Sequence, residues 1–598
     1  MEQHNGPVTD QDHYIGIDVG TGSARACIID SNGNIKSLTV EPIGLWQPEA
    51  GYYEQSTTNI WHSICICVKR ALCQNDVDPN SIKGIGFDAT CSLAVFKHGT
   101  DQPVPITGEK FANDGNDRNV ILWLDHRPVK ETEIINSTKH NVLRYVGGSM
   151  SIEMEIPKIL WLKNNMPADL FSSCGFFDLV DALTFLATNN TARSFCSTVC
   201  KQGLMPVGVD GSTTGWQKDF FETIGLGELC ERDFEKIGGI DGKNGCFLTA
   251  GDPVGGLSEK ASKQLGLPSG IPVGSGVIDA YAGWIGTVGA QVDLGSSQLS
   301  EQTDRHGISN PFSCLAVVAG TSSCHLAMSR DPIFVDGVWG PYRDVILPKY
   351  WISEGGQSAT GELLKHVLET HPAYQDTISL ANLSDVSIYD YLNSYLGKLA
   401  EKKRAPRISY LARHLFFYGD LWGNRSPLAD PNMTGSVIGL TSDISITGLA
   451  LQYYGAMEFI ALQTRHIIDT MNKAGHSIQS IFMSGSQCQN GILMQLMATA
   501  CDMPVVIPQY VNAAVVHGAA MLGAKAGRAH KTGGKESLWS IMGQMSKAGR
   551  VELPSTSKCE KKLLDVKYTV FLEQSRLQRE YRKSVDTVLE ECELIDGH

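Results

Sequence analysis

Two short stretches carry the residue types from which a phosphate-handling site is built. In YIGIDVGTGSARACIID (residues 14–30) the turn Gly20-Thr21-Gly22-Ser23 joins two β-rich runs. In LAVVAGTSSCHLAMS, starting at Leu315, Gly320-Thr321-Ser322-Ser323 does the same 300 positions later. A Gly-Thr-x-Ser turn exposes successive backbone N–H groups and hydroxyls toward one point, a concave donor set that suits phosphate oxygens. A single copy reads equally as a plain hairpin, since glycine and serine are ordinary turn residues. Two copies at matching offsets favour a pocket in which both turns grip one polyphosphate from opposite sides.

The copies differ in charge: Asp18 precedes the first turn and Val318 the second, and Arg25 follows the first where His325 follows the second. A polyphosphate needs Mg²⁺, which takes one or two carboxylates and leaves its other positions to water and phosphate. One half is enough to supply that carboxylate, so Asp18 is the metal-associated candidate and Val318 is free to pack. A permanent cation beside a transferring phosphate is likewise needed once, at Arg25.

Transfer of a phosphoryl group to an alcohol also needs a group to take the acceptor's proton. In IPVGSGVIDAYAGWIG an apolar run leads through small residues into Asp279, at the start of a helix rich in small residues. An aspartate at such a junction reads as an N-cap about as readily as a base. The flanking glycines, which admit a ligand closely, favour the site reading. An unperturbed aspartate would be ionised at neutral pH.

Other motifs lose the comparison. Gly274-x-Gly276 is followed by Asp279 where a dinucleotide fingerprint wants its third glycine, and KTGGKES lacks the hydroxyl residue after Lys535 that a P-loop uses. Cys196 and Cys200 form a helix-spaced pair without the second pair of a zinc site, so they read as structural.

These residues need a scaffold. HYIGIDVG, SARACIID and IKSLTVE are short β-rich runs with SNGN as a hairpin turn, TNIWHSICICVKRAL is apolar at helical spacing, and IKGIGFDAT returns to strand. The pattern restarts near residue 312 with FSCLAVVAG, and continues through a long helix (ISITGLALQYYGAMEFIALQTRHIIDTM), the buried strand IQSIFMSG, the helix GILMQLMATAC and the strand MPVVIP. This alternation implies an α/β architecture with mixed sheets, and the repeated opening unit implies two domains of one design. The expected division is 12–286, a boundary in 287–311, 312–527, and a tail over 528–598. In the tail Tyr581, Val585 and Val588 share one helical face, which predicts a docked amphipathic helix.

With 598 residues the chain accommodates two or more cores, and its 42% hydrophobic and 19% charged content is that of an ordinary globular protein. A formal charge of −14 without a polybasic block argues against nucleic acid or an anionic membrane as partner. No apolar run reaches membrane-spanning length and the start has no signal-peptide pattern. The sixteen thinly spread cysteines are therefore expected to be reduced, in the cytoplasm. Oligomeric state stays open.

Taken in order, DVGTGSAR, FDAT, WLDHR, GVIDAYAG, AGTSSCH, GGQSATGELL and SGSQCQNGILMQLMA resemble the FGGY family of carbohydrate kinases over roughly residues 12–527, with the ribulokinase-like branch the best match. The resemblance implies two ribonuclease-H-like (actin-like ATPase) domains with a catalytic cleft between them, Mg²⁺ with ATP as co-substrate, and a small sugar as acceptor. It implies Asp279 as catalytic base and Asp18 as the metal-associated residue. Thr21, Gly22, Ser23 and Arg25 fall in the first phosphate loop, and Gly320, Thr321 and Ser322 in the second. Gly356, Gly485 and Asn490 fall around the adenosine, and Cys91, Asp125, His126, Lys201 and Glu354 at the sugar. Two features depart from the family pattern: Ser486 follows Gly485 where paired glycines are usual, and the naming signature survives only as FFYGDLWGNRSP.

Plainer readings stand beside the sugar assignments: Asp125-His126-Arg127 as a solvated turn, Trp123 as core, Cys91 as an inert packed thiol. An Asp/His/Lys/Glu set does supply the donors and acceptors that a polyol needs. The leading expectation is an ATP:pentulose phosphotransferase, D-ribulose first. The rivals are a kinase for L-ribulose, xylulose, gluconate, ribitol or glycerol, and a nucleotide-dependent sensor or chaperone on the same architecture.

Overall fold

A computed structural model describes residues 12–108, 111, 117–290, 292, 311–534 and 536–596. The boundary expected in 287–311 lies largely outside the described residues, as do Lys535 and the first eleven residues.

Two seven-stranded mixed sheets organise the chain. The first runs Pro253–Gly256, Pro272–Gly274, Ile82–Ala89, His13–Val19, Ser23–Asp30, Ile35–Pro42, with Val277–Ile278 also on Ile82–Ala89. The second runs Trp339–Arg343, Trp351–Gln357, Ser323–Ser329, Cys314–Ala319, Ser480–Ser484, Val505–Ile507, Arg550–Glu552. In each, three antiparallel strands form a meander whose first strand pairs in parallel with a fourth, and the fourth in parallel with a fifth. The repeated turn implied this duplication, and the family resemblance its ribonuclease-H-like form. The opening strand is buried along nearly its whole length, as expected for a strand covered on both faces.

Two helices join the halves. Asp279–Val288 leaves the first sheet and packs on Cys314–Ala319 and Ser480–Ser484 of the second. Ala514–Thr532 returns from the second half to lie across the first sheet and against Asp279–Val288. Backbone meets backbone there: a Cβ on Gly16 would come within 2.1 Å of the Val516 carbonyl oxygen, and one on Gly286 within 1.9 Å of that of Ala514. Only glycine admits such an approach. Packing therefore does not follow the division at 527, because this helix, late in the sequence, belongs to the first sheet.

The tail serves both halves. Leu538–Met545 packs beneath Asp279–Val288, Arg550–Glu552 extends the second sheet, and Lys558–Asp596 docks through Leu564, Tyr568 and Phe571. Its Lys567 is buried in an ion pair with Glu458. The face expected to dock is elsewhere. Tyr581, Val585 and Val588 are 64%, 59% and 55% exposed, while the neighbouring Arg582 pairs with Asp430, so it is a different side of the helix that meets the body there.

A four-stranded sheet of Glu54–Gln55, Val120–Ile121, Leu93–Lys97 and Cys174–Asp178 is inserted in the first half. All sixteen cysteines are unpaired. No helix among the described residues is long and apolar enough to cross a membrane.

Candidate active site

The two glycine turns and Asp279 line one cleft between the sheets, a cavity of about 240 Å³. Its walls include Asp18, Gly20, Thr21, Arg25, Gly320, Thr321 and Ser322, together with Cys91, Glu153, Lys201, Cys324, Glu354 and Arg425.

The turns are alike in role but not in length. In the first, Val19 pairs with Ala24 and Asp18 with Arg25, leaving four residues in the loop. In the second, Ala319 pairs with Ser323 and Val318 with Cys324, leaving three. The residue opposite Val318 is therefore Cys324, not His325. His325 points into the core, fully buried, with Nε2 3.2 Å from Thr464 Oγ1. The first loop closes with Gly20 N–H donating to the Ser23 carbonyl (3.0 Å), and Gln55 Nε2 holds the Thr21 carbonyl (2.8 Å). The second closes with Gly320 N–H on the Ser322 carbonyl (2.9 Å), and Gln487 Nε2 holds the Gly320 carbonyl (2.8 Å). Gly22 has no atom within 4 Å of where a Cβ would stand, nor has Gly320, so open space lies over both loops.

Asp18 is buried, and its Oδ2 meets Arg25 Nη1 at 3.1 Å. Burial raises the Asp18 carboxyl, opposed by the Arg25 charge. Beside it on the neighbouring parallel strand stands Asp88, fully buried, whose carboxyl meets that of Asp18. Burial, reinforced by the Asp18 and Asp279 charges, lifts Asp88 well above the carboxylate range. Asp18, which lines the cleft, with Asp88 behind it gives a pair of hard oxygen donors that fits Mg²⁺, which needs no protein cage. Asp88 lies in the quoted FDAT segment, yet nothing in that string marked it as a neighbour of Asp18.

Asp279 is the first residue of its helix; the cap position is held by Ile278, which has no side-chain cap. The Asp279 carboxylate instead accepts the N–H of Ala280 at 2.7 Å. The N-cap alternative thus falls away. Burial, then the charge of Asp18, pushes the Asp279 carboxyl up to about 7, the Ala280 N–H opposing. An ordinary aspartate pKa was expected here; the enclosed, acid-rich cleft overturns that. Cys196 supports the junction from behind, its Sγ accepting the Ile278 N–H at 3.4 Å, and Cys200 Sγ lies 3.2 Å from the Tyr281 hydroxyl. That is the structural role expected of this cysteine pair.

Of the residues expected at the sugar, Cys91, Lys201 and Glu354 line the cleft. Lys201 Nζ lies 3.4 Å from Glu354 Oε2, which also accepts from the Tyr281 hydroxyl at 2.9 Å. Lys201 stacks over Trp339, 4.5 Å from the ring centre. Burial raises the Cys91 thiol, so it stays protonated.

Asp125 and His126 are not brought to the cleft. Asp125 is fully buried and spent on others: Oδ1 accepts from Arg127 N and Nε (both 2.9 Å), and Oδ2 from Arg127 Nη2 (2.8 Å) and Tyr53 N (2.6 Å). Arg127 also pairs with Glu54 (2.9 Å) and stacks over Tyr52. His126 is exposed. Asp125 and Arg127 are thus part of a buried ion-pair network, with His126 exposed between them. Trp123, read as core, lines the cleft and donates from Nε1 to Thr21 Oγ1 at 3.1 Å.

The three glycine and asparagine positions expected around the adenosine do not line this cavity. Gly356 is buried in its strand, where a Cβ would stand 2.6 Å from the Ser323 carbonyl oxygen and 2.9 Å from Arg425 Cδ. Gly485 has φ 92° and abuts the Ala319 carbonyl beside the second loop. Asn490 caps the helix Gly491–Cys501 and donates to the Tyr453 hydroxyl at 2.7 Å. Glu153 and Arg425, both missed, do line the cleft. The only signal for Arg425 was FFYGDLWGNRSP, which resembled the family loosely.

Models of the FGGY family of carbohydrate kinases match both halves, the N-terminal domain over residues 13–187 and the C-terminal domain over 315–527. The chain belongs to the FGGY family of carbohydrate kinases. Membership carries phosphoryl transfer from ATP to a sugar. This FGGY kinase is 52% identical over 514 residues to a D-ribulokinase of Saccharomyces cerevisiae, covering 86% of this chain and 72% of the relative. It is 42% identical over 572 residues to a human FGGY carbohydrate kinase domain-containing protein, covering 95% of this chain and 97% of that one. Among solved structures, a xylulose kinase from Rhodospirillum rubrum superposes with a TM-score of 0.71 over 95% of this chain and 99% of its own, at 16% identity.

Proposed function

We propose that this FGGY kinase phosphorylates D-ribulose to D-ribulose 5-phosphate at the expense of ATP, with Asp279 as general base. The observation that carries the chemistry is the single cleft that gathers both glycine loops, Asp279 and the Lys201–Glu354 pair. The choice of D-ribulose leans on the 52% identity to a D-ribulokinase. In this reading residues 12–286 supply the acceptor site and base, and 312–527 the second phosphate loop and the nucleotide side.

Backbone N–H groups of the two loops, with the Thr21, Ser23, Thr321 and Ser322 hydroxyls, donate to the phosphate chain from both sides. Asp18, with Asp88 beside it, would hold Mg²⁺, which neutralises charge on the terminal phosphates. Arg25 leaves Asp18 for the transferring phosphate when the nucleotide binds. Lys201 and Glu354 orient the ketopentose so that its 5-hydroxyl meets Asp279. Asp279 takes the hydroxyl proton as that oxygen bonds to the γ-phosphorus and the bond from phosphorus to the β,γ-bridging oxygen breaks, releasing ADP. A base whose carboxyl is raised to about 7 is well matched to neutral conditions. Closing the two sheets over the reactants excludes water, which limits ATP hydrolysis. Sixteen unpaired cysteines fit a reducing compartment, and the cytoplasm is the compartment this reading assigns.

The test is ADP release with ATP, Mg²⁺ and a panel of D-ribulose, L-ribulose, xylulose, ribitol, gluconate and glycerol. D-ribulose should give the highest kcat/KM. Another best acceptor would keep the kinase and change the substrate. Hydrolysis indifferent to every sugar would favour the sensor reading instead.

A further inference from the structure

Arg425 reaches the cleft from the second half and Glu153 from the first, and they meet at 2.7 Å. Neither is mobile surface charge: their side chains are 10% and 19% exposed. The structure around them is built to hold them there. The loop that delivers Arg425 is braced by Asp420, whose carboxylate accepts from the Tyr418 hydroxyl (2.7 Å), Asn424 Nδ2 (2.7 Å) and Gln463 Nε2 (2.9 Å). Gly356 leaves the space through which the Arg425 side chain passes, which explains why a glycine stands there. The guanidinium lies 5.5 Å from the Trp339 ring centre, the ring that also carries Lys201. Opposite, the Glu153 N–H donates to Ser151 Oγ (3.2 Å) and its carbonyl accepts from buried Lys158 (3.1 Å).

The pair lines the same pocket as the base, and Arg425 Nη1 lies 3.8 Å from Cys324 Sγ. Burial lowers the Arg425 guanidinium, but the carboxylates of Glu153 and Glu354 more than offset it. The polar lining thus comprises Asp18 and Asp279, Lys201 and Glu354, and Glu153 and Arg425. An acceptor whose 5-hydroxyl meets Asp279 would extend its other end toward this pair. A guanidinium with five donors beside a carboxylate offers both kinds of partner that a hydroxyketone end requires.

We propose that Arg425 and Glu153 bind the acceptor sugar directly, Arg425 donating to and Glu153 accepting from the C1–C2 end of the ketopentose. Because one residue comes from each half, the same contact ties the two halves together over the bound sugar. The inference rests on the sugar-kinase reading above and adds to it the residues that measure the length of the acceptor.

The experiment compares wild type, Arg425→Gln and Glu153→Gln on D-ribulose and on 1-deoxy-D-ribulose, with KM for ATP and thermal melts recorded alongside. In the wild type, loss of the C1 hydroxyl should lower kcat/KM by about 10–100-fold, the penalty of a site whose polar groups are left unpaired. Each variant should raise KM for D-ribulose by about 10–100-fold with kcat changed less than about threefold, the scale of a hydrogen bond to a charged group. In the variants the 1-deoxy substrate should lose less than about threefold further, since its partner is already gone. A purely structural role would lower kcat and raise KM for ATP too, and would leave the 1-deoxy penalty at its wild-type size; either result, or an unchanged KM for D-ribulose, overturns the inference. If Arg425→Gln does not fold, Glu153→Gln carries the same comparison by itself. A wild type that phosphorylates no ketopentose defeats the underlying reading and this inference with it, whereas activity with unmoved KM in the variants defeats the inference alone.

Discussion

Replacing Asp279 by asparagine should make the protein more stable while nearly abolishing turnover, and the balance should depend on pH. The Asp279 carboxyl is raised from 3.8 to about 7 in the folded state. Below pH 4 the folded and unfolded chains both hold the proton, so the site costs nothing. Between pH 4 and 7 the unfolded chain releases a proton that the folded chain keeps, and stability falls as pH rises. Above pH 7 both forms are ionised and the full cost of burying the charge is present. At 1.36 kcal/mol per pH unit that cost is about 4 kcal/mol. Asp279 keeps some contact with solvent at the cleft surface, so about 1–3 kcal/mol is the better expectation. Asparagine keeps the shape and can still accept the Ala280 N–H without the charge. Asp279→Asn should therefore melt about 1–2 °C above wild type at pH 8, with the difference shrinking toward zero near pH 4. Its kcat on the preferred sugar should fall about 10²–10⁴-fold, the range for a lost general base. Melts by calorimetry across pH 4.5–8 and a coupled ADP assay supply both readings. A variant less stable than wild type at pH 8, or a gain that ignores pH, would refute the electrostatic argument, and near-normal turnover would remove Asp279 from the chemistry.

Three further outcomes follow from the same cleft. In wild type the acid limb of log kcat/KM against pH should bend near pH 7 with unit slope, set by burial and Asp18 acting on Asp279; a bend near 4 would mean an unperturbed carboxylate. Arg25→Ala should lower kcat by about 10–10³-fold through loss of a cation at the transferring phosphate, leaving KM for the sugar nearly unchanged, as steady-state kinetics would show. Asp125→Ala should destabilise by about 3–5 kcal/mol in urea titration, because Arg127 would remain buried without its principal partner; the folded fraction should keep its KM for sugar, and a sugar-specific KM defect would restore Asp125 to the acceptor site.

Local pattern was enough for the two phosphate loops. A strand, a glycine turn and a second strand place Asp18, Thr21 and Arg25 on one surface within a dozen residues, so backbone geometry alone aims them. The turn's length was another matter: matching Ser23 to Ser323 by offset hid that the second loop is one residue shorter, and paired His325 with Arg25 when Cys324 occupies that face. The family resemblance implied Asp125 as a sugar contact, yet its carboxylate turns inward to Arg127, which the string WLDHR cannot reveal. Arg425 escaped because its position depends on Asp420, Gln463 and Gly356, brought together from three separate segments.

By itself the sequence determined the duplicated architecture, the location of both loops and the candidacy of Asp279, because strand alternation and turn chemistry act between near neighbours in the chain. Only the tertiary structure decided how those parts are tuned and completed. The acidity of Asp279 depends on burial and on Asp18, 261 positions away in the chain. One wall of the pocket depends on an ion pair between halves, and the exposure of the tail's apolar face on which side of the helix meets the body. Burial and charge are sums over everything nearby in space, and proximity in space is what a one-dimensional pattern does not contain.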